Sequence, residues 1–408
     1  MKKLLAFCFA LASMISPSWA CTSFIISGKA SPNGRAMMFK HRDTGELNNR
    51  IAHFNGPKYS FMGLVNAPVV DGEVWAGMNE AGFCIMNTAS YNLREDTLDC
   101  PMDREGELMY HALGNCASLS EFETWLESYP QPWGVEANFG VIDAQGGAAY
   151  YEMNNHRWIK YDVNQEATGY RVVTNFSFAG RYEEYEGYER YLTASAIMKE
   201  AFLPTHQMSA TEAINLFSRQ YRHELMGVHY TPHNALQWVV DQDFIPRRQT
   251  SAVVVFEGVA KQQDPSQTLM WTVLGYPACA VAIPLVMHPN SIPDYMQARD
   301  TEATSGEAMQ SEMCDLAMQI KKQWVFPLHI SNGNRYISLQ NVLCDQPSRQ
   351  SLVSCVHNVE QDITSSFIPV YSDWCSGKLS TNDFFKQYNS LTASWFNKYK
   401  ESFANHLQ

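Results

Sequence analysis

The chain sets a cysteine, Cys21, at the head of a predicted β-hairpin directly after an apolar leader, which pins the start of the folded chain inside a sheet. The leader, MKKLLAFCFALASMISPSWA, carries Lys2 and Lys3, an apolar run from Leu4 to Met14, and small residues Ser18 and Ala20 at the −3 and −1 positions of a cleavage point. It is too short and too poorly flanked for a permanent membrane span. Cleavage after Ala20 is expected, leaving Cys21 as the mature N-terminus of an exported, periplasmic or extracellular, bacterial protein. The competing lipoprotein route would acylate Cys21. Ser18-Trp19-Ala20 fits it poorly, because that route wants Leu, a small residue and then Gly or Ala.

After Cys21, Thr22-Ser23-Phe24-Ile25-Ile26-Ser27 is β-rich, Ser31-Pro32-Asn33-Gly34 is turn-like, and Ala36-Met37-Met38-Phe39-Lys40 reads as the returning strand. Further short strands are predicted at 73–78, 83–87, 139–143, 148–152, 172–174, 251–256, 269–274 and 281–285. Helical periodicity runs around 107–116, 119–128, 191–202 and 211–219. It is strongest near the C-terminus, where Phe384, Tyr388, Leu391, Trp395, Tyr399 and Phe403 fall at steps of three and four, with Ser380 or Thr381 as the N-cap. Strands in pairs with helices grouped between them favour an α+β layered fold over a doubly wound sheet. The polar stretch 287–311 marks a loop or boundary. The expected organisation is a leader over 1–20, a main domain over 21–290, and a Cys-containing extension over 291–408 packed on it.

The net charge of −12, or −14 without Lys2 and Lys3, gives the chain no electrostatic draw toward nucleic acid or an anionic membrane. Ten cysteines include Cys8 in the leader and Cys21. The other eight would suffice for four disulfides in an exported protein, leaving Cys21 as the odd thiol, although Cys84 in Phe83-Cys84-Ile85-Met86 reads equally well as a buried free thiol.

Amides resist hydrolysis because the carbonyl is weakly electrophilic and the amine leaves badly, so covalent catalysis needs a strong nucleophile, a proton carrier and an oxyanion site. A terminal cysteine supplies the first two in one residue, since free thiols and α-amino groups both ionise at roughly pH 8. Arg42 and Asp43 close the second predicted strand, which the hairpin returns beside Cys21. An Arg-Asp pair at a strand end is ordinarily a surface ion pair, and this location argues for function. His223, His229 and His233 match no standard zinc spacing, and Gly146-Gly147 lacks the fingerprint of a phosphate loop. No metal or cofactor is expected.

Four segments in order, Cys21-Thr22-Ser23-Phe24, Lys40-His41-Arg42-Asp43-Thr44, Gly77-Met78-Asn79-Glu80-Ala81-Gly82-Phe83 and Val173-Thr174-Asn175, resemble the N-terminal-nucleophile hydrolases of the choloylglycine hydrolase, penicillin V acylase and isopenicillin N acyltransferase type. The resemblance covers roughly 21–285 and implies an αββα four-layer sandwich that cleaves, or transfers acyl groups from, linear non-peptide C–N amide bonds. It implies Cys21 as nucleophile and base, Asp43 holding the α-amino group, Arg42 near the thiol, and Asn87 and Asn175 as oxyanion donors. A further arginine, Arg248 or its neighbour Arg247, would stand near the site. The family's Arg and Asp are often two residues apart, whereas Arg42 and Asp43 are adjacent, so Asp43 carries over more firmly. Asn79 reads as a turn former.

The expected activity is therefore that of an exported amidohydrolase acting on a small N-acyl compound such as a bile-acid conjugate, a penicillin V-like amide or an N-acyl amino acid. An acyltransferase and a cysteine dipeptidase of the same superfamily stay open. A lipid-anchored binding protein acylated at Cys21 is the alternative of another class. The stretch 52–62, rich in aromatics, is a candidate wall for the acyl pocket, and a homo-oligomer is compatible with the sequence.

Overall fold

The computed structural model describes residues 20–93, 100–288, 291–300 and 302–407; the predicted leader up to residue 19 lies outside them. Two antiparallel sheets form the centre. The first runs β10 (Tyr170–Val173), β1 (Thr22–Ile26), β2 (Met37–Asp43), β14 (Thr250–Glu257), β15 (Leu269–Leu274), β16 (Ile283–Val286). The second is a meander in chain order: β3 (Asn49–Asn55), β4 (Ser60–Asn66), β5 (Ala76–Asn79), β6 (Cys84–Ala89), β7 (Ala137–Ile142), β8 (Ala148–Met153), β9 (Trp158–Asp162). Two short ladders, β11 (Tyr221–His223) with β12 (Val228–Tyr230) and β13 (Val239–Val240) with β17 (Tyr336–Ile337), lie apart from these.

Successive strand residues point to opposite faces, so β1 and β2 each carry two sets of side chains. Ser23 and Met38 face the second sheet: Ser23 Oγ lies 2.9 Å from Tyr150 OH on β8, and a Cβ at Gly140 on β7 would strike Met86 and crowd the Met38 sulfur. Glycine there lets the sheets close. On the other face Phe24 and Phe39 stack at 4.7 Å and receive Phe217 of a covering helix.

Helices α1 (Glu105–Asn115) and α2 (Leu119–Ser128) cover the outer face of the meander with Leu108, Ala112, Phe122 and Leu126. Helices α3 (Tyr188–Ala201) and α4 (Ala210–Ser218) cover β1, β2 and β10. The layers are thus helix, sheet, sheet, helix, the αββα order implied by the resemblance. Four more helices, α5 (Glu312–Ile320), α6 (Leu339–Leu343), α7 (Leu352–Cys375) and α8 (Thr381–Ser402), share that outer core, with Phe367 edge-on to Trp271 of β15 and Tyr388 OH donating to Pro284 O of β16. A buried bidentate pair, Arg219 with Glu360 of α7 at 2.7 Å, locks α4 to this block.

Ser380 is the cap of α8, accepting from Asp383 N. The stretch 52–62 is the β3–β4 hairpin, closed by a tight turn in which Gly56 N donates to Tyr59 O, although Ala52, His53 and Phe54 do line a cavity of about 230 Å³ with Gln297 and Met309. The four disulfides that the cysteine count would allow are not formed: all nine described cysteines are free thiols.

Candidate active site

Cys21 heads β1 between β2 and β10, where Thr22 pairs with His41 and Ser23 with Val173. It is buried, and so is Ala20 before it. Its nitrogen, a peptide nitrogen while Ala20 is attached, donates to Asn175 Oδ1 at 2.7 Å. Its sulfur lies 4.0 Å from Asp43 O, and its carbonyl accepts from Arg190 Nη1 at 2.7 Å.

Arg190 comes from α3 and is wholly buried. Its second nitrogen donates to Asn175 Oδ1 at 3.1 Å, so one guanidinium fixes both the backbone of Cys21 and the amide that receives its nitrogen. Burial, then the nearby Arg247 charge, lowers its pKa to about 10. Gly187, at φ 75°, leaves room for that guanidinium; a Cβ there would collide with it.

The outward face of β2 places His41 and Asp43 on the Arg190 side. The Asp43 carboxylate accepts from Arg247 Nε at 2.8 Å and Thr250 Oγ1 at 2.7 Å, with His41 Nε2 at 3.2 Å. Burial alone would raise its pKa, but the Arg247 and His41 charges and hydrogen bonds outweigh it and hold the carboxyl at about 2. Arg247 Nη2 is buried and has no hydrogen-bond partner among the described residues.

The inward face of β2 carries Lys40 and Arg42, on the side where strand alternation also places the Cys21 thiol. Arg42 donates to the side-chain oxygens of Asn49 and Asn66, at 2.5 and 2.8 Å, and lies 5.1 Å from the ring centre of Trp75. Lys40 reaches past the end of β5 to Trp75 O and Asn87 Oδ1, both at 2.7 Å. All these partners are neutral. Desolvation lowers Arg42 to about 10 and Lys40 to about 7, and the charge that most opposes it in both cases is that of Cys21. Two buried cations without a carboxylate in hydrogen-bond contact make this a place where an anion is strongly favoured. An ammonium can only donate, so Lys40 fixes the oxygen of Asn87 toward itself and turns the Asn87 NH₂ the other way.

Of the residues read from sequence, Cys21, Arg42, Asp43, Asn87 and Asn175 converge here. Arg248 does not. The Arg247–Thr250 turn, closed by Thr250 N donating to Arg247 O, aims Arg247 at Asp43 and leaves Arg248 exposed, with its backbone nitrogen on Asp241. Asp43 is engaged by Arg247, Thr250 and His41, and Asn175 is the group that meets the Cys21 nitrogen, its own Nδ2 donating to Ala89 O at 2.8 Å. Asn79 closes its turn by accepting from Ala81 and Phe83 nitrogens and also ties α1 to β5 through Leu113 O and Cys116 O. Lys40, His41, Arg190 and Thr250 were missed. Strand alternation puts Lys40 on the Arg42 face and His41 on the Asp43 face, so those two were within reach of the sequence; nothing local in Tyr188-Glu189-Arg190-Tyr191 announces Arg190.

Fold and site together define an αββα sandwich with a cysteine at the head of its central hairpin, ringed by buried cations and amides. Among solved structures the chain is similar to a Caenorhabditis elegans ortholog of N-acylethanolamine-hydrolyzing acid amidase, at 15% identity over 60% of this chain and 93% of that one, TM-score 0.38. It is similar to penicillin V acylase from Agrobacterium tumefaciens, at 17% identity over 65% and 86%, TM-score 0.39. It is also similar to a mutant conjugated bile acid hydrolase from Clostridium perfringens, at 12% over 66% and 92%, TM-score 0.40. No family model matches the chain, and no curated protein matches it. None of the three likenesses carries an activity over to this chain.

Proposed function

We propose that this protein is an exported amide hydrolase that attacks small N-acyl compounds with the thiol of Cys21, after removal of residues 1–20 frees its α-amino group. The observation that carries the reading is the double setting of Cys21: nitrogen on the Asn175 amide, and side chain on the face of two cations whose hydrogen-bond partners are all neutral. The free amine takes the thiol proton, and Lys40 and Arg42 stabilise the thiolate. The sulfur adds to the amide carbonyl, and negative charge develops on its oxygen, toward which the Asn87 NH₂, oriented by Lys40, donates. Collapse breaks the C–N bond, and the ammonium of Cys21 gives its proton to the departing amine. Water then attacks the thioester as the same amine accepts its proton, and collapse breaks the C–S bond, releasing the carboxylic acid and returning the proton to the Cys21 sulfur. Asn175 and Arg190 hold that nitrogen in place, while Asp43 keeps Arg247 beside the site with its Nη2 unspent among the described residues.

Two measurements test this. Intact mass of the exported protein should lack residues 1–20 and carry no lipid; a lipid on Cys21 would remove both nucleophile and base. Against a panel of N-acyl amides, Cys21→Ala should lose turnover while keeping its fold, and retained turnover would place the nucleophile elsewhere.

A further inference from the structure

A second feature is lined by the residues that follow Asp43 and Arg247 in the chain and takes no part in the bond-breaking steps. A cavity of about 440 Å³ lies between the β2–β3 loop and the C-terminal extension. Its apolar lining comes from Leu47, Met318 and Phe326, its charged lining from Arg248, Lys321 and Lys322, and no Asp or Glu among the described residues lines it. Two acids lie outside the lining: Glu46 accepts from Asn48 N, and Asp241 accepts from Arg248 N with one oxygen while its other oxygen is buried without a hydrogen-bond partner among the described residues.

The cavity is wired to the Asp43 side of the hairpin. Lys321, in the π-helical turn Lys321–Val325 that follows α5, donates to Arg248 O at 2.5 Å and Thr250 O at 3.1 Å, and the Thr250 hydroxyl is the one on Asp43. Leu47 and Asn48 stand a few residues past Asp43, and Leu47 O meets the Cys314 thiol of α5 at 3.6 Å. The extension therefore builds a cationic, partly apolar wall against the β2–β3 loop and the turn into β14, whose Thr250 holds Asp43.

We propose that this cavity binds a carboxylate carried by the amide substrate, with Arg248 and Lys322 as its ligands and Lys321 fixing the wall. The inference rests on the amide-hydrolase reading and narrows it to acidic amides. Arg248 offers a planar two-pronged donor suited to a carboxylate, and Lys322 a second charge. The carboxylate has two sources: the amine side, as in an N-acyl amino acid, or the acyl side, as in a dicarboxylic monoamide.

Binding to Cys21→Ala protein, measured by calorimetry, separates this proposal from the catalytic one. N-decanoylglycine is compared with N-decanoylglycinamide, and the monoamide of decanedioic acid with decanamide. The carboxylate member of at least one pair should bind roughly tenfold or more tightly, the effect of a charge-assisted contact, and the pair that discriminates names the source. The gap should close in the Arg248→Ala/Lys322→Ala double variant built on the same background. Equal affinities within both pairs, or a gap that survives the double variant, overturn the proposal. Turnover by protein with Cys21 intact reports the amide-hydrolase reading separately: absence of hydrolysis with the carboxylate preference preserved would sink that reading and leave the anion site standing.

Discussion

Asp43→Asn tests the charge frame behind Cys21 without needing a substrate. The native carboxyl is held at about 2 against an ordinary 3.8. At about 1.4 kcal/mol per unit, that difference is worth about 2 kcal/mol at pH 7. Removing one partner of a buried ion pair independently suggests about 3–5 kcal/mol, because it also strands the other charge, here the Arg247 guanidinium. We expect a loss of about 2–4 kcal/mol in urea unfolding followed by tryptophan fluorescence. The pH dependence fixes the cause. A carboxyl with a depressed folded pKa contributes fully above its unfolded value and loses that contribution as pH falls through the folded one. At pH 3 the native advantage should shrink by about 1 kcal/mol relative to pH 7. A loss under about 1 kcal/mol at pH 7, or a gap unchanged at pH 3, would refute the assignment of Asp43 as the anion that balances Arg247 and His41.

Lys40 sits at about 7, so its charge is lost as pH rises through neutrality, and kcat/KM should fall on that alkaline side. Lys40→Arg should push the fall up by more than about one unit, since a guanidinium stays charged; an unmoved limb would exclude Lys40 from supporting the reaction. Asn87→Ala should lower kcat by roughly 10²–10³, the usual loss of one oxyanion donor, with KM little changed. Arg190→Lys should cost roughly 10-fold or more in kcat, because one ammonium cannot hold both Cys21 O and Asn175 Oδ1, and misplacement of a reacting group is expensive. Glu360→Gln should destabilise by about 3–5 kcal/mol at neutral pH in the same urea assay, by stranding Arg219 in the core.

How far the sequence alone reached is clear element by element. The strand at 269–274 and the helix at 119–128 were placed to the residue, because short β-rich or periodic runs bounded by turn or cap residues leave little choice. The β3–β4 hairpin was missed because its turn residues, Asn55-Gly56-Pro57-Lys58, suggest a loop. The 24-residue α7 was missed because Pro369 lies inside it and its buried stripe includes the charged Glu360. In the site, residues within one strand of Cys21 were legible from alternation and order. Arg190 was not, since its place depends on how α3 lies across β1, a tertiary fact with no local signature. Arg247 was distinguished from Arg248 only by the turn into β14.

The seating of the Cys21 nitrogen has a consequence for timing. While Ala20 is attached, that nitrogen is an amide: it has one hydrogen, which goes to Asn175, and a lone pair delocalised into the carbonyl, so it cannot accept the thiol proton. Ala20 meanwhile occupies buried space beside the sulfur's own residue. If the leader is removed during export, the precursor is dormant by covalent structure and needs no separate inhibitor. Under the proposed export, activity would begin at the moment and in the compartment of cleavage, and cytoplasmic amides would be spared for as long as the bond before Cys21 stayed intact.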